Sequence, residues 1–193
     1  VDALTIAAHK FGGPQGTGAL LVRSHLPLEP LLHGGGQELG ARSGTENVAA
    51  IAGFAAAVRA ASRDVGTRAL ALAASRDDLV ARVLAEVPGA RLTGHPSERL
   101  PGHASFVVER TSGESLLVAL DAAGIAASSG SACAAGQDDP SPVLLAMGFD
   151  PALAQTALRF TLAEPLDGPD GEALIDRIVE VLAREVAAAA GKR

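Results

Sequence analysis

The chain has 193 residues, 48% of them hydrophobic and 20% charged, enough to bury a core in one or two compact units. Its formal charge of -6, with acids and arginines interspersed, provides no basic stripe for nucleic acid and no polybasic segment for anionic lipid. No apolar run approaches the ~20 residues of a membrane span, no secretory leader is visible, and one cysteine cannot form an internal disulfide, so a cytoplasmic setting is expected. In chain order, residues 2–8 (DALTIAA) and 18–23 (GALLVR) are short apolar runs punctuated by GGPQGTG, which predicts strand, loop, strand. The chain enters at once on the first of these runs, as a piece of something longer would. HGGGQELGARSGT is a predicted loop. Ser43 followed by Glu46 has capping-box spacing ahead of a predicted helix, ENVAAIAGFAAAVRAA. Composition shifts near Gly66, and a second helix is expected over roughly residues 67 to 87, ended by PGA.

Beyond it, ASFVVE is a predicted strand and GESLLVALDAAG a helix with a glycine stop. IAASSGSACAAGQDDPSP is a short strand running into a loop of small residues, and TALRFTL is a strand. Leu174, Ile175, Ile178, Val179, Leu182 and Val186 recur at helical spacing and predict a C-terminal amphipathic helix. The alternation of strands and helices implies an α/β architecture.

Three places can carry chemistry. Among sixteen basic side chains only Lys10 and Lys192 are lysines. A desolvated lysine can become a neutral amine and attack a carbonyl, which arginine cannot do. Lys10 therefore reads either as a surface lysine after a strand or as a reactive amine. His9 beside it, and the glycines after it that let backbone approach a ligand, favour the second. The glycines match neither a P-loop nor a GxGxxG fingerprint. Cys133, in SSGSACAAG, reads either as a small buried hydrophobe or as a nucleophile on an exposed loop, and its small neighbours offer little packing surface. Arg159, alone in the apolar strand ALRFTL, either points to solvent or turns its fork into a cleft to hold a carboxylate. The five histidines show no metal-ligand spacing with the cysteine, so no metal is expected. HGGGQE lacks the G-x-S-x-G of a hydrolase.

Taken together, AHKFGGPQGTGAL, HGGGQELGARSGTENV, SSGSACAAG and LRFTL resemble the second half of a cysteine desulfurase, a pyridoxal-phosphate enzyme of the class V aminotransferase type. The likeness runs from Asp2 to about Val186. It implies a fold-type I architecture, with residues 1–64 the end of the large cofactor-binding domain and 65–193 the small α/β domain that carries the cysteine loop. It implies Lys10 as the Schiff-base lysine, His9 as a holder of the cofactor phosphate, and Thr45 as a phosphate contact to the neighbouring subunit of a homodimer. It implies Arg159 as the clamp on the substrate carboxylate. Cys133 would be the nucleophile that takes sulfur from L-cysteine, leaves L-alanine, and passes a persulfide to an acceptor such as an iron-sulfur scaffold or sulfur carrier. Ala7 stands where such enzymes commonly have a serine or threonine that binds phosphate. The aspartate and histidine that grip the pyridine ring belong to the first half, so the chain alone is expected to be inactive. Two other readings stay open: a related class V lyase or aminotransferase, such as a selenocysteine lyase, and a non-catalytic remnant that dimerises or docks an acceptor.

Overall fold

The computed structural model describes residues 1–129 and 140–191. They form a mixed α/β structure in two compact units, Val1–Val65 and Gly66–Arg193.

In the first unit, β1 (Ala3–Ala7) pairs antiparallel with β2 (Gly18–Val22), from Ala3 opposite Val22 to Ala7 opposite Gly18. The link between them opens with a 3₁₀ turn, Ala8–Phe11, which ends where Gly12 takes φ 85. That left-handed conformation costs glycine little because it has no Cβ. Further along, α1 (Val48–Ser62) packs on this turn, with Phe54 against Phe11 at 5.8 Å between ring centroids. The expected capping box does not form. Ser43 is buried and donates its hydroxyl to the carbonyl of Gly35 at 2.7 Å, so it is committed to closing the glycine loop. Asn47 caps the helix instead, its side-chain oxygen accepting from the Ala50 amide at 3.1 Å, and α1 starts two residues later than the sequence pattern suggests.

The second unit is built on a sheet in the order β3, β4, β6, β5, all pairs antiparallel. Its strands are β3 (Ala90–Leu92), β4 (His103–Val108), β5 (Ser128–Ser129) and β6 (Leu158–Thr161). Three long helices accompany them: α2 (Val65–Glu86), α3 (Gly113–Ala122) and α6 (Gly168–Ala190). Alternate residues of a strand face opposite sides of the sheet. Ala104, Phe106 and Val108 of β4 and Leu158 and Phe160 of β6 thus share one face. They are buried in one core with Leu79 and Val83 of α2, Leu116 and Leu120 of α3, and Ile175, Val179 and Leu182 of α6. On the opposite face a smaller cluster joins Val107 to Leu144, Ala154 and Ala157, with Phe149 and Leu153 packed against it. Leu144 and Ala154 come from two short helices, α4 (Pro142–Ala146) and α5 (Pro151–Ala154), each opened by a proline whose missing N–H would have no partner in a first turn. The glycine stop of α3 is Gly124 at φ 75, which donates to the Asp121 carbonyl at 2.8 Å.

The segment 93–103, between β3 and β4, is tied down by two arginines. Arg99 donates to the carbonyls of Thr93 (2.7 Å), His95 (2.8 Å) and His103 (3.3 Å). Arg76, buried on α2, donates to the Leu100 carbonyl at 3.2 Å and to the Asp77 carboxylate at 2.7 Å. Burial, and then the charge of Arg76, hold the Arg99 guanidinium below its ordinary pKa. Among the described residues, no helix is long and apolar enough to cross a membrane.

Candidate functional site

Lys10 is placed by the turn that follows β1. Ala8 is fully buried, its amide donating to the Thr17 carbonyl at 3.1 Å and its carbonyl accepting from Gly13 at 2.9 Å. A Cβ on Gly13 would come within 2.8 Å of the Ala8 methyl and 3.2 Å of the Ala57 methyl, so the absence of a side chain there lets turn and helix meet. With Ala8 as the anchor, His9 and Lys10 both remain exposed. Thr45, also exposed, precedes the Asn47 cap by two residues. Between them in sequence, the loop 33–44 closes through the Ser43 bond to Gly35 and a 3.4 Å bond from the Gly44 amide to the side-chain oxygen of Gln37. Glu38 and Leu39 in that loop adopt φ 50 and 56, a left-handed pair in which the Leu39 side chain is wholly exposed.

On the exposed turn Lys10 offers a primary amine able to attack an aldehyde carbon and His9 an imidazole able to hold a phosphate oxygen, while Thr45 offers a hydroxyl just before α1. Ala7 adds only a methyl group. Among the described residues of this unit the aromatic rings are Phe11 and Phe54, and they pack on each other.

Arg159 lies in the middle of the second unit's sheet. On β6 it faces Ser105 of β4 on one side and Ser128 of β5 on the other. Thr93 extends the row past Ser105: its amide donates to the Ser105 carbonyl at 2.8 Å and its hydroxyl to the Ser105 hydroxyl at 2.7 Å. His103 and Thr161 are opposed in the next row of the same face. The Nε of Arg159 is buried and has no hydrogen-bond partner among the described residues. A buried guanidinium N–H without an acceptor is costly, and such a group is a natural place for a ligand anion. Burial first, then the charges of Arg99 and Arg159, hold the His103 imidazole below its usual pKa, so it is uncharged near neutral pH.

Cys133 and Lys192 lie outside the described residues. The structure thus groups Arg159 with Thr93, Ser105, Ser128 and His103, of which the sequence pattern singles out Arg159 alone. The signal was present in GHASFVV, where His103 and Ser105 alternate with Ala104, Phe106 and Val108, the pattern of a strand with one polar face. Among the described residues no group of three or more His, Cys, Asp or Glu side chains is placed to hold a metal ion.

Comparison with known proteins gives a match to the family model "Aminotransferase class-V" over residues 1–164. An IscS-like cysteine desulfurase of Mycobacterium tuberculosis is 45% identical over 190 residues, which cover 98% of this chain and 47% of that protein. A cysteine desulfurase of Cereibacter sphaeroides is 42% identical over 94% of this chain and 45% of its own length. Among solved structures, a NifS-like protein superposes with a TM-score of 0.79 at 33% identity, covering 95% of this chain and 47% of that one. The chain spans about half the length of the curated relatives it matches.

Proposed function

The chain belongs to the aminotransferase class-V family, and from that premise we propose that it is the carboxyl half of a pyridoxal-phosphate-dependent cysteine desulfurase, converting L-cysteine to L-alanine and leaving the sulfur on Cys133. Residues 1–64 then belong to the large cofactor-binding domain and 65–193 form the small domain. Pyridoxal phosphate is the cofactor that family membership implies, and when bound it supplies an electron sink for the substrate carbon skeleton.

Lys10 would hold the cofactor covalently, and it is available for this because the turn anchored at Ala8 leaves it exposed. His9 would hold the phosphate from the same turn. Thr45 would provide a hydroxyl for a phosphate, that of the neighbouring subunit in a homodimer. Arg159 binds the substrate carboxylate through its fork, and the buried Nε without an acceptor is the observation that carries this reading. Cys133 is five residues beyond Ser128, which pairs with Arg159. As a thiolate it attacks the substrate sulfur: the S–S bond forms, the C–S bond breaks with its electron pair left to the carbon skeleton, and proton uptake there gives alanine. The persulfide then passes to a sulfur-acceptor protein, and a cytoplasmic setting agrees with a single reactive thiol.

The test is Cys133→Ser in the full-length enzyme loaded with cofactor. The substitution keeps size but replaces a thiolate former with a hydroxyl that stays protonated near neutral pH. Cofactor attachment at Lys10, trapped with borohydride, should survive, while alanine release and the one-sulfur mass gain on the Cys133 peptide should both vanish. Turnover of cysteine at the wild-type rate by this variant would exclude the desulfurase reading in favour of a lyase that releases sulfide.

A further inference from the structure

The polar face around Arg159 holds one ionisable side chain that the proposed chemistry leaves unused. His103 is on the same side of β4 as Ser105, one row along from the pair Ser105–Arg159. Diagonal neighbours in an antiparallel pair lie about 7–8 Å apart at their backbones, within joint reach of an imidazole, a guanidinium and a carboxylate between them. The His103 backbone is held on both sides, its amide donating to the Leu100 carbonyl at 3.1 Å and its carbonyl accepting from Arg99. The charged groups around it are Arg159 from β6 and Arg99 from the loop before β4, with Arg76 and Asp77 of α2 acting on Arg99 in turn. Apart from an interaction with its own backbone, the His103 ring has no hydrogen-bond partner among the described residues, and Nε of Arg159 on the neighbouring strand has none either.

We propose that His103 is a second recognition group for the carboxylate bound at Arg159, its imidazole donating a ring N–H to the substrate carboxylate alongside the guanidinium fork. This rests on the reading of Arg159 as the substrate clamp. Two donors on two strands define the orientation of a carboxylate more closely than one fork does, which makes His103 a specificity residue for amino-acid substrates. A carboxylate also brings negative charge to an imidazole now surrounded by arginines. The bound state therefore favours the imidazolium, and binding takes up a proton on the acid side of neutrality. Substrate affinity should rise as pH falls through the histidine range, and that rise should belong to His103.

The experiment uses the full-length, cofactor-loaded enzyme. His103→Leu should raise KM for cysteine about tenfold, the loss expected for one hydrogen bond to a charged group, with a much smaller change in kcat. His103→Gln keeps a donor but cannot titrate. It should recover most of the KM at about pH 8 while losing the improvement in KM that the wild type shows between about pH 7.5 and 6. As a readout independent of turnover, propionate should move the NMR titration midpoint of the His103 imidazole to higher pH in the wild type and not in Arg159→Met. A wild-type KM in His103→Leu, an unchanged acid-side trend in His103→Gln, or an imidazole midpoint indifferent to propionate overturns the inference while the Arg159 reading stands. An unchanged KM in Arg159→Met overturns the clamp, and the His103 inference with it.

Discussion

The two units differ in how they keep apolar surface from water. In the second, a four-stranded sheet places one face against three helices, and Phe106, Leu79, Leu116, Leu120, Leu158 and Leu182 are all fully buried. In the first, the hydrophobic residues that reach burial are Ala8 and Ala57, while Leu4, Leu20, Leu21 and Ile51 are exposed. Leu4 pairs with Leu21 and Thr5 with Leu20, so the β1–β2 ribbon carries apolar side chains on both faces. That is the composition of strands covered on both sides, and a lone two-stranded ribbon is at best marginal in water. The unit with Lys10 is therefore a partial layer that depends on cover from elsewhere, whereas the unit with Arg159 has a core of its own.

The most direct way to break this contrast is to separate the units. Residues 66–193 expressed alone should unfold cooperatively in denaturant, and residues 1–65 alone should show no cooperative transition by circular dichroism. A sharp transition in the shorter piece would refute the asymmetry. Next in size, Phe106→Ala should destabilise the second unit by about 3–5 kcal/mol, because it leaves a cavity against Phe160, whose ring centroid is 6.4 Å away. A smaller loss is expected from Asn47→Ala, about 1 kcal/mol of α1 stability, since it removes the acceptor for the Ala50 amide. Hydrogen exchange at Ala50 and its neighbours reads this locally.

The smallest effect concerns pH. His103 has a lower pKa folded than unfolded, so between the folded value and about 6.5 the unfolded chain binds the extra proton. The stability that goes with the neutral imidazole is complete above about 6.5, falls as pH drops below it, and levels off beneath the folded pKa. His103→Gln should flatten that part of the stability profile of the second unit and leave its value above neutrality nearly unchanged. An identical slope in wild type and variant would show that other groups carry it.

Much of the frame was legible in the sequence. The strand after Asp2 declares itself as an apolar run ahead of a glycine-rich loop, the helix Val65–Glu86 by a shift in composition near Gly66, and the C-terminal helix by the period of Ile175, Ile178, Val179 and Leu182, all buried. What stayed hidden was short. β3 has 3 residues, α4 has 5 and α5 has 4, too few for any period to show. The Ser43 cap failed for a different reason: its hydroxyl had a competing acceptor in Gly35, eight residues back, and loop closure won over helix capping.

Local chemistry was the sequence's own contribution. An isolated lysine beside a histidine and glycines, a cysteine among small residues, and an arginine in an apolar strand each pointed to a candidate reactive or binding group through residue type and immediate neighbours. The company these groups keep came from the tertiary structure. Thr93, Ser105, Ser128 and His103 are scattered over 36 positions of chain, and only the pairing of β3, β4, β5 and β6 brings them to one face around Arg159. Register is a property of strand pairing between distant segments, and no local pattern encodes which residue will stand opposite which. The orphaned Nε arises in the same way, since burial of that atom depends on three strands meeting, and it is this burial that marks a charged strand residue as a candidate site.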